Sequence, residues 1–249
     1  MEEKVNALML RSVDYADNDK ILTLFSLEQG VISAKMRGVK KAGAKLKFAA
    51  EPFCFAEYIL TGGNMKTVTN ASLTDSFYPL RENIFRFYAA SAATEFVLKF
   101  CPENAVSSGL FFETVRFLKN CAYTDVPTDA LLLIFLLHAL KEIGYSLRFG
   151  DCAGCGEPLG RVFFDFSTGS GYCENCRTEN AVEVSPVTYE LLNKISAFQL
   201  GTVREKDIAE LGVADNYFVR ALRLTAKYLR SVAKDEPKSL KEFLKMCEF

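Results

Sequence analysis

Four cysteines constrain this chain more than any other feature. They form Cys152-Ala153-Gly154-Cys155 and, after seventeen intervening residues, Cys173-Glu174-Asn175-Cys176. Each CxxC knuckle turns two thiolates toward one point, and two knuckles at this separation complete a tetrahedral sulfur site for one structural zinc ion. Gly154 and Gly156 supply the turn, and Arg161–Phe166 followed by Ser167-Thr168-Gly169-Ser170-Gly171 reads as a strand and hairpin turn between the knuckles. That pattern is a zinc ribbon. A redox pair is the competing reading, but thioredoxin-type sites use one CxxC at a helix start. Four thiolates leave no open coordination position, which argues against catalytic zinc. The other four of the eight cysteines, Cys54, Cys101, Cys121 and Cys247, are scattered in apolar surroundings and read as small buried hydrophobes.

The segments around this motif differ in character. Val5–Val13, Lys20–Leu27, Val31–Arg37, Pro52–Leu60 and Met65–Ser72 are short β-rich runs, broken at Asp14–Asp19, Glu28–Gly30, Gly38–Gly43 and Thr61–Asn64. Five such runs predict a small barrel, with an OB-fold leading. In the third, Ile32, Ala34 and Met36 point inward, and Val31, Ser33, Lys35 and Arg37 outward. Beyond Pro79 the apolar spacing becomes helical over Ile84–Phe100, Ser107–Cys121 and Thr128–Leu147, then come Pro186–Phe198, Arg204–Leu211 and Asp215–Ala233, followed by a short Leu240–Met246 tail. Thr128 is placed to cap the third helix. The predicted class is therefore α+β. An N-terminal five-stranded OB-fold β-barrel over residues 1–79 precedes an α-helical domain over 80–249, with the four-cysteine zinc ribbon inserted at 152–176.

Thirty Lys and Arg against 31 Asp and Glu give a net charge of −1, so any polyanion surface must come from local clustering. Two clusters stand out. Lys35, Arg37, Lys40, Lys41, Lys45 and Lys47 place six cations in thirteen residues without an acid, in a loop that Gly38 and Gly43 make flexible. Such a loop leaving a barrel strand can neutralise several phosphates. A solvated loop without a partner is the alternative. Gly38 and Gly43 also imitate a P-loop, but Ala44 and Lys45 replace the required Lys and Ser/Thr, so no nucleotide cradle follows. The second cluster is Arg220, Arg223, Lys227, Arg230 and Lys234, within roughly an 80° arc of one helix, opposite Phe218, Leu222, Thr225, Leu229 and Val232. It is either a binding stripe or the wet face of a core helix, with Asp207, Glu210 and Asp215 near enough to neutralise part of it. Phe48, Phe53 and Phe55 flank the basic loop and suit either base stacking or barrel core.

Catalytic patterns are lacking. The single histidine, His138, lies in Leu136-Leu137-His138-Ala139-Leu140 and fits a hydrogen-bonded core or boundary position; one histidine excludes an HExxH metalloprotease. Neither a GxSxG elbow nor the H-x-E of the zinc deaminases occurs. Asp14, Asp17 and Asp19 read as an acidic turn. The start, Met1-Glu2-Glu3-Lys4, has no signal-peptide character, and the apolar run Ala130–Leu140 is too short to span a bilayer, so a cytoplasmic chain with no membrane association is expected.

Several segments together resemble the RecO family of bacterial recombination mediators. They are Asp19-Lys20-Ile21-Leu22-Thr23-Leu24-Phe25-Ser26, Glu28-Gln29-Gly30-Val31-Ile32-Ser33, Gly38-Val39-Lys40-Lys41, Glu51-Pro52-Phe53, and Gly144-Tyr145-Ser146-Leu147-Arg148-Phe149 leading into the first knuckle. The resemblance implies an OB-fold and a helical domain bearing zinc. It implies a non-enzymatic mediator of DNA repair and homologous recombination that binds single- and double-stranded DNA and anneals complementary strands. Its implied partners are RecR, the acidic C-terminal tail of single-strand-binding protein and, indirectly, the RecA filament. The family's basic positions after the third strand fall on Arg37, Lys40 and Lys41; Ala44 stands where many members carry Ser. Two other readings of the residues are a zinc-ribbon RNA-binding or transcription-associated adaptor, and a zinc hydrolase, which the closed thiolate site opposes.

Overall fold

The computed structural model describes residues 2–63 and 65–247; the turn expected at Thr61–Asn64 therefore ends, at Asn64, outside the described residues, as does Met1. Among the described residues five strands form the N-terminal region: β1 (Glu2–Tyr15), β2 (Asp19–Ser26), β3 (Gly30–Met36), β4 (Phe55–Thr61) and β5 (Lys66–Asp75). They close into a barrel in the order β1-β2-β3-β5-β4, with β4 pairing back onto β1. All pairs are antiparallel except the short parallel contact of Ala34 and Lys35 with Lys66 and Thr67 that joins β3 to β5. This is OB-fold connectivity.

Alternation along β3 divides two cores. Ile32, Ala34 and Met36 fill the barrel with Val5, Leu22, Leu24, Tyr58 and Leu60. Val31 points out of the barrel as its parity requires, yet it is buried, because helices cover that face. Leu8, Phe25, Val31 and Phe53 all belong to the helical core, so the outer face of the barrel is packed into it while the barrel interior remains a core of its own. Gly30 makes the close approach possible. Its φ is +71°, and a Cβ there would lie 2.2 Å from the Ala105 carbonyl oxygen. The neighbouring Val31 carbonyl accepts a hydrogen bond from the Asn104 N–H at 3.0 Å.

Seven α-helices follow among the described residues: α1 (Ile84–Phe100), α2 (Ser108–Tyr123), α3 (Thr128–Glu142), α4 (Pro186–Ile195), α5 (Glu205–Ala209), α6 (Asn216–Ala233) and α7 (Lys238–Met246). Asn83 caps α1, its side-chain oxygen accepting from the N–H groups of Phe85 and Arg86. Thr128 does not cap α3. It lies within the helix behind Pro127, and Asp129 Oδ1 accepts from the Ala130 N–H instead. Helix α3 is apolar on every side because α1, α2 and α6 surround it; all residues from Ala130 to Leu140 except His138 are buried. It stops at Glu142, short of the expected Leu147, because Gly144 adopts φ +87° and the Tyr145 N–H returns to the Leu140 carbonyl.

Between α3 and α4 lies a three-stranded sheet of β6 (Val162–Asp165), β7 (Ser170–Tyr172) and β8 (Val182–Val184), in the order β7-β6-β8. Val162 and Phe164 are buried in the helical core, and Gly171 packs against the ring of Tyr189 on α4. The ribbon is thus seated on the helices.

Candidate nucleic-acid interface and metal centre

The basic residues leave the barrel at the end of β3 and run through the connection to β4. Arg37, Lys40, Lys41, Lys45 and Lys47 are exposed, and Lys35 is half-buried. The segment is not the freely flexible loop that its glycines suggest; successive hydrogen-bonded turns build it. The Lys40 N–H reaches the Asn18 carbonyl at 3.1 Å, Lys41 the Gly38 carbonyl, Ala44 the Lys41 carbonyl and Lys47 the Ala44 carbonyl. A 3-10 turn at Lys47–Ala50 then buries Ala49 and Ala50 under the barrel, where the Ala49 carbonyl accepts from the Tyr58 hydroxyl at 2.9 Å.

The acidic turn between β1 and β2 faces this segment, a contact that local sequence does not reveal. Asp14 pairs with Lys40 at 2.7 Å and Asp19 with Lys35 at 3.0 Å. The second oxygen of Asp19 accepts the Gly38 N–H at 2.8 Å, where Gly38 has φ +65°. The Gly38 N–H, and after it the Lys35 ammonium, hold the Asp19 carboxyl below the ordinary carboxylate range; Lys40 does the same for Asp14. Arg37, Lys41, Lys45 and Lys47 make no ion pair among the described residues. Arg37, Gly38 and Lys41 line an open groove of about 500 Å³ whose other wall is Ala16–Asp19.

The phenylalanines flanking this segment pack against the two cores, whereas the Lys35 ammonium sits over the exposed Tyr15 ring at 4.5 Å. Phe53 packs on Phe87 at a ring-centroid separation of 5.5 Å and Phe55 on Phe111 at 6.0 Å, both under the helical domain, while Phe48 packs on the barrel core.

The cationic stripe lies on α6, with Arg220, Arg223, Lys227 and Arg230 exposed and Phe218, Leu222, Thr225 and Leu229 buried on the opposite side. Lys234 ends the helix in a left-handed conformation with φ +56°. Arg230 pairs with Glu236 at 3.2 Å; Asp207, a candidate from the sequence, pairs with Arg204. Lys227 sits over the Phe166 ring at 4.5 Å and Arg220 over Tyr217 at 5.1 Å. Lys241 and Lys245 of α7 join Arg223, Lys227 and Arg230 around a groove of about 380 Å³ floored by Ala226 and Leu244, an extension of the stripe hidden from sequence because it needs a second helix.

At the ribbon, the Sγ atoms of Cys152, Cys155, Cys173 and Cys176 all lie within 4.8 Å of one another. Cys155 and Cys173 are 3.9 Å apart, close to the roughly 3.8 Å edge of a sulfur tetrahedron with metal–sulfur bonds of about 2.3 Å. The Cys152 Sγ accepts N–H bonds from Cys173 at 3.2 Å and Gly154 at 3.4 Å. Burial raises this thiol, but those bonds outweigh burial and draw it down to about 6, favouring the thiolate that a metal binds. Only glycine fits at 154, since a Cβ would come within 2.8 Å of the Cys176 Cβ. Asp165, not evident from the sequence, ties the hairpin to the second knuckle. Its carboxylate accepts from the Ser167 N–H and hydroxyl and, at 2.6 Å, from the Thr178 hydroxyl. Distances, donors and the required glycine all fit a four-thiolate metal site.

His138 is half-buried, its Nδ1 2.9 Å from Glu113 Oε2. Arg116 holds the other Glu113 oxygen at 3.0 Å. The pair lines a cleft of about 400 Å³ together with Lys141, Ser146, Ser196 and Gln199. Among the described residues no helix is long and apolar enough to cross a membrane.

Comparison with known proteins agrees with this architecture. Residues 1–77 match the family described as Recombination protein O N terminal, and residues 81–241 match Recombination protein O C terminal. The chain is 26% identical over 253 residues to the DNA repair protein RecO of Clostridium novyi, covering 99% of this chain and 96% of that protein. It is 32% identical over 204 residues to the DNA repair protein RecO of Pelotomaculum thermopropionicum, covering 80% and 79%. A closed OB-type barrel, a helical half with a four-thiolate ribbon and matches along nearly the whole length agree on one assignment: the chain belongs to the RecO family of DNA repair and recombination proteins.

Proposed function

We propose that this protein is a non-enzymatic recombination mediator that binds single- and double-stranded DNA and anneals complementary strands. The observation carrying this reading is the exposed cationic segment on an OB barrel in a chain of this family. Lys35, Arg37, Lys40, Lys41, Lys45 and Lys47 supply the first phosphate-binding surface, and Arg220, Arg223, Lys227 and Arg230 a second. Strands repel through their phosphates. Cations that neutralise both at once lower that repulsion while bases search for pairing, and this requires neither nucleotide nor acid–base residue.

RecR, the tail of single-strand-binding protein and, through them, the RecA filament are the proposed protein partners. One zinc ion held by Cys152, Cys155, Cys173 and Cys176 is the proposed metal. Bound there it would cross-link the ribbon, with all four positions filled by sulfur and none left for substrate. The proposed division places DNA contacts of the barrel in residues 1–79 and the metal in residues 80–249.

The test is a salt titration of binding to single-stranded and duplex DNA, run beside an annealing assay. Charge reversal of Lys40 and Lys41 flattens the salt slope and slows annealing; if both stay as in the parent protein, the loop is not the DNA surface. Preference for RNA over DNA of the same sequence would favour the adaptor reading instead.

A further inference from the structure

Resting on the DNA-binding reading above, we infer that the acidic turn Asp14–Asp19 is an internal stand-in for phosphate that DNA must displace from the cationic segment. A strand approaching this face would seek an ammonium group, a second ammonium group and a backbone N–H in a left-handed turn. All three donors are present and all three are engaged. The Lys40 Nζ is 2.7 Å from Asp14 Oδ2, the Lys35 Nζ is 3.0 Å from Asp19 Oδ2, and the Gly38 N–H meets Asp19 Oδ1 at 2.8 Å. Carboxylate oxygens thus sit where phosphate oxygens would.

The two carboxylates differ in their hold. Asp19 is mostly buried and structures the start of the segment, whereas the Asp14 side chain is 62% exposed and pairs with Lys40. Asp14 is the displaceable member. Beside it, Arg37 and Lys41 line the open groove without ion pairs among the described residues, so they meet an incoming strand first.

This arrangement lowers affinity at one defined place. When a phosphate takes Lys40, Asp14 is set free next to the strand and gathers a cation, so the exchange releases almost no net counterion there. The consequence is a surface that holds a strand through Arg37, Lys41, Lys45 and Lys47 and releases it readily, as a protein that passes strands to one another requires.

The test measures binding of a fluorescent oligothymidylate across a salt series by wild type, Asp14→Asn, Lys40→Met, the double variant and Lys41→Glu, with thermal melts to verify folding. Asp14→Asn should tighten binding about two- to fivefold, the range of an exposed ion pair. It should slow dissociation by a similar factor and steepen the salt slope by up to about 0.7. The gain should vanish in the Lys40→Met background. Unchanged binding by Asp14→Asn while Lys41→Glu weakens it overturns the inference and leaves DNA binding standing. A gain that persists without Lys40 also overturns it, as an effect of overall charge. If Lys41→Glu binds like wild type, the DNA-binding reading itself falls, and the inference with it.

Discussion

Phe25 of β2 and Phe111 of α2 meet edge to face with ring centroids 5.4 Å apart, across the boundary between barrel and helices. Both are buried in a core that includes Leu8 and Val31 from the barrel and Phe96 and Leu131 from the helices. Continuous packing of this kind couples the two halves. Phe111→Ala should therefore cost about 3–5 kcal/mol. Urea unfolding followed by tyrosine fluorescence and by far-ultraviolet circular dichroism should give coincident transitions, displaced together in the variant.

Gly30 is the tightest backbone approach at the same seam. Gly30→Ala must both hold a left-handed backbone and place a Cβ against the Ala105 carbonyl. The expected cost is about 2–4 kcal/mol, read from the urea midpoint. Gly63→Ala, where a Cβ meets nothing within 4 Å, is the control and should change the midpoint little.

Metal content should be one zinc per chain and should fall in Cys155→Ser, since an exposed ligand is lost while three remain. Protons compete with metal for thiolates, so acidification should also release the ion. Because Val162 and Phe164 of the ribbon lie in the helical core, chelation should lower the melting temperature of the whole protein rather than loosen an appendage. Elemental analysis and melting curves with and without chelator check both statements.

Glu113 introduces a pH dependence. His138, then Arg116, hold its carboxyl below the ordinary 4.5 against opposing burial. A folded-state value below the unfolded one means that the contribution is complete above about pH 4.5 and is lost as pH falls through the folded value. Glu113→Gln should cost about 1 kcal/mol at pH 7, and the gap from wild type should narrow below pH 4.5 in urea titrations at several pH values.

What could be read from sequence was what local chemistry determines. The four-cysteine cluster was legible because knuckle spacing is a local property, and the five strands because β-rich runs are punctuated by turns. Contacts between distant segments were not. Parity along β3 turned Val31 outward but carried no sign that helices would cover it. Lys35 and Lys40 looked unopposed because Asp19 and Asp14 lie 16 and 26 residues away and meet them only once β1, β2 and β3 pair. Thr128 has the chemistry of a cap, yet Pro127 sets the start of α3 one residue earlier.

The cationic segment is moored twice, by the Gly38 N–H on Asp19 and by the Ala49 carbonyl under Tyr58. Little backbone remains to be frozen when a polyanion arrives, so capture should resemble docking on a rigid rail, not the folding of a tail. Calorimetry should accordingly register a small heat-capacity change, without the large entropic penalty of a segment that orders on contact.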